Sequence, residues 1–170
     1  MKRFGKFVMI AAMAMVSYSA SAELEPQWSK GTAMINAGIG VQPGFGGTVS
    51  LDYVLVDEWW KGHFTVGGEL DFSVPYKHGT AIGLTPRATY GLNITPEFEV
   101  HVTAETGLGF RTYETWDPVN EKYDKASKPF VLMGGFVGCR YFFNDNLAVL
   151  AEIGGEDYFP ALRAGITYKF

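Results

Sequence analysis

Phe98-Glu-Val-His-Val-Thr-Ala-Glu-Thr-Gly-Leu-Gly-Phe-Arg-Thr-Tyr113 decides the reading of this chain. Phe98, Val100, Val102, Ala104, Thr106, Leu108 and Phe110 alternate with Glu99, His101, Thr103, Glu105, Gly107, Gly109 and Arg111. A β-strand sends successive side chains to opposite faces, so the segment is a long strand with one apolar and one polar side.

The same period recurs on both flanks. Upstream, Ile35, Ala37 and Ile39 alternate with Asn36, Gly38 and Gly40 in a strand near 32–40. Val49, Leu51, Tyr53 and Leu55 oppose Thr48, Ser50 and Asp52. Phe64, Val66, Leu70 and Phe72 oppose Thr65, Glu69, Asp71 and Ser73. Ile82, Leu84, Ala88, Tyr90 and Leu92 oppose Gly83, Thr85, Arg87, Thr89 and Gly91. Downstream, 130–143 is apolar on both faces and is phased with Val131, Met133, Val137, Cys139 and Tyr141 outward, which turns Phe136, Gly138 and Arg140 inward. Leu147, Val149, Ala151 and Ile153 oppose Glu152, Gly154 and Glu156, and Leu162, Ala164, Ile166, Tyr168 and Phe170 oppose Arg163, Gly165, Thr167 and Lys169.

That makes eight strands, separated at 42–45, 57–62, 75–79, 93–97, 114–128, 144–146 and 157–160. Most breaks are short and rich in Gly, Pro, Asn or Asp, so neighbours pair as hairpins. No amphipathic helix is available as a crossover, which excludes a parallel sheet. Eight meandering strands close into an antiparallel up-and-down barrel. Pro86 falls within a strand and lacks a ladder donor, so a bulge is expected there.

Residues 1–22 stand apart. Lys2, Arg3 and Lys6 precede an apolar run from Phe7 to Tyr18, and Ala20-Ser21-Ala22 is a small-residue cleavage site, the pattern of an export signal. The apolar run is short for a bilayer span. Cleavage after Ala22 leaves 23–170 as the barrel domain and shifts the net charge from −4 to −7 by removing three basic side chains. Of the chain's residues, 19% are charged, below a soluble average of roughly 25%. The acidic balance argues against a nucleic-acid partner. A single cysteine, Cys139, excludes a disulfide scaffold and a cysteine-based zinc site.

A soluble carrier barrel packs apolar faces inward, and a membrane barrel inverts this. Two features favour the inversion. The polar faces carry Gly38, Gly40, Gly83, Gly91, Gly107, Gly109, Gly138, Gly154 and Gly165, which make room for long charged side chains in a narrow interior. Aromatics gather at the two strand ends, with Tyr53, Trp59, Trp60, Phe64, Tyr90, Phe98, Tyr141, Phe143, Tyr168 and Phe170 at one and Phe72, Tyr76, Phe110, Trp116, Phe130 and Phe159 at the other. Two girdles around an aliphatic band suit two membrane interfaces. The fold class is therefore all-β, an eight-stranded transmembrane β-barrel.

The chain ends Arg163-Ala-Gly165-Ile-Thr-Tyr168-Lys-Phe170, which resembles the C-terminal assembly signal of bacterial outer-membrane proteins at Arg163, Gly165, Tyr168 and Phe170. The segment Gly138 to Glu152, with its Asn144-Asp-Asn146 turn, is similar to the sixth and seventh strands of small OmpA/OmpX-type barrels, and OmpW-like barrels share the overall pattern. The resemblance implies residence in the outer membrane, lipid around the barrel, and recognition by the outer-membrane assembly machinery. With both chain ends in the periplasm, the breaks at 41–46, 75–79, 114–128 and 155–160 face outward.

An eight-stranded interior is filled by side chains, and unpaired charge there is costly. Glu69, Glu105 and Glu152 are therefore expected to pair with Arg87, Arg111, Arg140 and Arg163. The role that follows is structural or surface-interacting. A small gated channel and a lipid-modifying barrel enzyme are the alternatives. A catalytic site would need a Ser, a His and an acid within reach, and no serine accompanies His101 and its neighbours Glu99 and Glu105. No catalytic, metal or cofactor residue is assigned. The 114–128 segment, with Trp116, Asp117, Tyr123 and Asp124, is the candidate for an extracellular or host ligand.

Overall fold

The structure, a computed structural model, describes residues 28–41, 44–75, 79–117 and 122–170. The export signal and its cleavage site lie outside the described residues. Eight strands follow in order: β1 (Ala33–Val41), β2 (Gly44–Trp59), β3 (Gly62–Pro75), β4 (Gly79–Asn93), β5 (Phe98–Asp117), β6 (Lys122–Phe142), β7 (Leu147–Glu156) and β8 (Leu162–Lys169). Each pairs antiparallel with its neighbour, and β8 closes on β1 through Met34↔Lys169 to Val41↔Leu162. No strand edge is left open along the closed part, the arrangement a bilayer demands because no water there satisfies a free amide. No helix among the described residues is long and apolar enough to cross a membrane, a test that does not bear on strands.

The face assignments hold along the strands, Leu92 excepted. Leu51, Leu70, Leu84, Leu108, Val131, Ile153 and Ile166 are exposed on the outside, each with more than half of its surface free. Asp52, Glu69, Arg87, Glu99, Arg140 and Arg163 are buried inside. Leu92 departs from the pattern: its outward position lies at the rim, where it is buried. β6 keeps the expected phase, with Leu132, Phe136 and Arg140 inward.

The end holding the short turns, Trp28 and Phe170 is ringed by Tyr53, Trp59, Trp60, Tyr141, Phe143, Tyr168 and Phe170, all exposed. Neighbouring rings pack edge to face, as in Tyr168–Phe170 at 5.2 Å and Tyr141–Phe143 at 5.6 Å. β2 and β3 are joined through Trp60 and Lys61, both at positive φ (49° and 63°). That is the handedness a two-residue hairpin turn needs. The Tyr90 hydroxyl donates to the carbonyls of Trp59 (3.1 Å) and Trp60 (2.9 Å) and braces the turn. At the opposite mouth Phe45, Phe72 and Phe110 face outward. Phe130 and Phe159, expected in that outer girdle, point into the barrel instead, and Phe159 is wholly buried. Tyr76 lies outside the described residues.

Two further expectations are corrected. The break at 114–128 is mostly strand: β5 and β6 run on as a two-stranded ribbon to Asp117↔Lys122, well past the point where β4 and β7 stop. Cross-strand pairing alone carries it there. Pro86 makes no bulge. The β4–β5 ladder skips Thr85 and Pro86 but resumes at Arg87↔Glu105 in the same register as Leu84↔Leu108. Opposite the gap lies Gly107, where an added Cβ would stand 2.8 Å from the Thr85 Cα, so the missing side chain lets β5 close on β4. The register shifts that do occur are in β2–β3, between Val54 and Val56 and between Val56 and Trp59.

Candidate functional site

The inward alternation of all eight strands delivers polar side chains to one enclosed lumen. Asp52, Glu69, Asp71, Glu99, Glu105, Glu152 and Glu156 are buried there with, among the described residues, only Arg87, Arg140 and Arg163 as buried guanidinium groups. Such charges are tolerable only when paired, and the pairing forms a connected chain along the barrel.

The chain begins at the turn end. Trp28, which precedes β1, is buried and caps the lumen, packed on Met34, Val54, Phe142 and Ala148. Its indole lies 4.9 Å from the His63 ring and 5.4 Å from Phe142. Trp28 Nε1 donates to Glu99 Oε2 at 2.8 Å. The other oxygen of Glu99 accepts from Arg140 at 2.6 Å and lies 3.2 Å from His101 Nδ1. His63 Nε2 is 3.8 Å from the same carboxylate. His101 Nε2 then meets Glu152 Oε1 at 3.1 Å.

Glu152 passes the chain to Arg87, whose Nη2 lies 3.3 Å away. Arg87 also donates to Glu69 and sits 3.6 Å from Asp52. Glu69 bridges two cations, because its Oε1 accepts from Arg163 at 2.5 Å. Arg163 is the hub of the far half. Around it stand Glu156 at 3.2 Å, Asp71 at 3.4 Å and Glu105 at 3.6 Å, its Nε donates to the Pro160 carbonyl at 3.1 Å, and its guanidinium lies 3.8 Å over the Phe136 ring. Beside this chain, Asn36 donates to Ser50 and Asp52, both at 2.8 Å, and accepts from Thr167 at 2.6 Å, sewing β8, β1 and β2 together.

The loop end is closed as well. Phe159, from the β7–β8 connection, fills the mouth against Ala81 and Leu132, with Phe130 packed alongside. The charged layer is thus held between two apolar stoppers. Small residues make the space it occupies. A Cβ at Gly138 would fall 2.5 Å from His101 Nε2 and 2.7 Å from Glu152 Cγ.

Of the expected network, Glu69, Glu105, Glu152, Arg87 and Arg163 lie together in the lumen. Arg140 is in the lumen but pairs with Glu99 rather than with any of those three acids. Arg111 does not join. It lies at the mouth, with its guanidinium 4.7 Å from the Tyr158 ring centre and 5.9 Å from that of Tyr113. The inward phase carries it past the end of the closed barrel, so it has the right face and the wrong height. Glu99, His101, Asp71, Glu156 and Asp52 share the inward phase with the residues singled out, and that phase was the signal for including them. Trp28 lies outside any strand, and periodicity gives no hint of it.

Gly165 and Arg163 face inward on β8, while Tyr168 and Phe170 sit in the exposed ring at the turn end. Cys139 is a partly buried free thiol on the outer face. Trp116 pairs with Tyr123 and Thr115 with Asp124 along the ribbon backbone, and their side chains lie outside the described residues. Among the described residues no group of His, Cys, Asp and Glu is arranged to hold a metal ion. Both histidines lie against carboxylates, His63 beside Glu99 and His101 between Glu99 and Glu152.

No protein-family model matches the chain, and no curated relative does. Solved structures do match. The N-terminal β-barrel domain of Pseudomonas aeruginosa OprF is 17% identical, with a TM-score of 0.62, over 84% of this chain and 100% of that one. A major outer-membrane protein from Thermus thermophilus is 16% identical, with a TM-score of 0.63, over 84% and 100%. Neisserial surface protein A is 14% identical, with a TM-score of 0.51, over 82% and 94%. The chain has the fold of the small eight-stranded outer-membrane barrels.

Proposed function

We propose that this chain is an integral outer-membrane barrel that serves as a closed structural scaffold and presents its β5–β6 ribbon to the cell exterior. The single observation that carries the reading is the sealed, ion-paired lumen. Trp28 stops one end, Phe159 the other, and Arg87, Arg140 and Arg163 link the carboxylates between them through ion pairs. The exposed aliphatic band between two aromatic rings suits a lipid surround. Residues 1–22 act as the export signal, and Arg163, Gly165, Tyr168 and Phe170 are the signal read by the assembly machinery. The ribbon around Trp116, Asp117, Tyr123 and Asp124 is the segment offered to an extracellular partner. The role proposed is non-catalytic.

The experiment combines three readouts on the full chain. Membrane fractionation places the protein in the outer membrane, and unheated samples migrate differently on gels from heated ones. Purified protein in planar bilayers shows no single-channel steps. Steady conductance from the unmodified barrel refutes the closed scaffold in favour of a channel, and recovery in the soluble periplasmic fraction refutes the membrane reading.

A further inference from the structure

Arg111 on β5 stands directly opposite Lys128 on β6, on the inner face of the ribbon at the loop-end mouth. Like charges opposed across a ladder repel. No described carboxylate relieves them: Arg111 lies against tyrosine rings, and Lys128 Nζ lies 5.6 Å from the centre of the same Tyr113 ring that flanks Arg111. A second ring, Tyr158, faces Arg111 at 4.7 Å. Tyr158 is held in the left-handed region (φ 69°), unusual for a bulky residue, and packs edge-on against Phe130 at 4.9 Å. The mouth thus sets two cations side by side, beside two phenols, in a place open to water.

We propose that Arg111 and Lys128, flanked by Tyr113 and Tyr158, bind the phosphate of a phosphorylated sugar. A tetrahedral oxyanion spans two cations at cross-strand spacing, and the guanidinium fork grips two of its oxygens. The tyrosine hydroxyls both donate and accept, as sugar hydroxyls do. The lumen below cannot take such a ligand, because its carboxylates repel it and Phe159 blocks the way. The site is separate from the ion-paired chain, and the inference uses the outward orientation proposed above only to say where the sugar comes from.

The test is calorimetric titration of the full-chain barrel in phospholipid nanodiscs with glucosamine 6-phosphate, with inorganic phosphate and with glucose. Glucosamine 6-phosphate binds and glucose does not. Arg111→Gln and Lys128→Gln, each shown to be folded by heat-modifiable migration, weaken binding about tenfold or more, the loss expected of one charge-assisted hydrogen bond. Tyr158→Leu weakens the sugar phosphate and leaves inorganic phosphate unchanged. Absence of binding by both phosphates, or affinities unmoved in both charge variants, overturns the site. Equal effects of Tyr158→Leu on both phosphates overturn the sugar. Nanodiscs carrying a phosphorylated glucosamine glycolipid then separate the sources: lost binding of the soluble probe identifies a lipid headgroup as occupant, and retained binding identifies a free sugar. Trypsin cleavage after Lys125 or Lys128 on intact cells reads the orientation independently, so its failure leaves the binding result standing.

Discussion

Arg163→Met should be among the most damaging single changes in the lumen, and Glu105→Gln among the mildest, although the two residues touch. The asymmetry comes from the charge census. Arg163 faces Asp71, Glu105 and Glu156, and it shares Glu69 with Arg87. Replacing it with an uncharged chain of similar length strands those acids in a layer sealed at both ends. Removing one partner of a buried pair costs about 3–5 kcal/mol, and here several acids lose their cation at once, so the upper part of that range is expected. Glu105 is different. Neither of its oxygens has a hydrogen-bond partner, and its approach to Arg163 is long, at 3.6 Å. Glutamine keeps the shape and removes a surplus negative charge, so a change within about 1 kcal/mol, of either sign, is expected for so weakly held a group. The assay is urea unfolding of the barrel refolded in detergent micelles or lipid vesicles, followed by gel mobility, with free energies by linear extrapolation. If Arg163→Met costs less than about 1 kcal/mol, or Glu105→Gln costs as much as Arg163→Met, the lumen is not a scarcity of cations among carboxylates and the reasoning fails.

Trp28→Ala should remove the lower stopper and the 2.8 Å bond to Glu99 together. A loss of about 3–5 kcal/mol is expected, with the first appearance of short current steps in planar bilayers. Leu84→Arg places a charge in the exposed aliphatic band, where a cost of about 2 kcal/mol or more in lipid is expected, whereas a water-facing position would tolerate it; comparative refolding in vesicles decides. Gly138→Ala drives a methyl group toward His101 and Glu152, so a loss of about 1–3 kcal/mol by urea titration is expected, and a neutral result would mean that the His101–Glu152 contact yields freely.

Period-two alternation carries most of the fold because a closed barrel with an apolar outside enforces it along every strand: one face is the apolar exterior, the other the polar lumen, and a slip of one residue would reverse both. That is why even β6, apolar on both faces, can be phased from Arg140 alone. The pattern is silent on height. Arg111 and Arg163 look alike in sequence, yet one sits at the mouth and the other at the hub, because β5 and β6 run on together past the end of β7. It is silent too on segments that fold back inside. Trp28 and Phe159 lie in connections with no alternation to read, and both prove to be lumen side chains. Arg140 found an unexpected acid because Glu99 lies directly across the β5–β6 ladder from it, a relation that only the register discloses.

The lumen contacts join residues far apart along the chain: Arg163 reaches Glu69 across 94 positions, Trp28 reaches Glu99 across 71, and Arg87 reaches Glu152 across 65. A half-built sheet would hold one member of each pair and present it bare to acyl chains. Partial insertion is therefore penalised, and the polypeptide must gain its interior and its seam in a nearly concerted act. Contacts of such long range form slowly, and the finished barrel, once sealed, has few small openings through which to come apart.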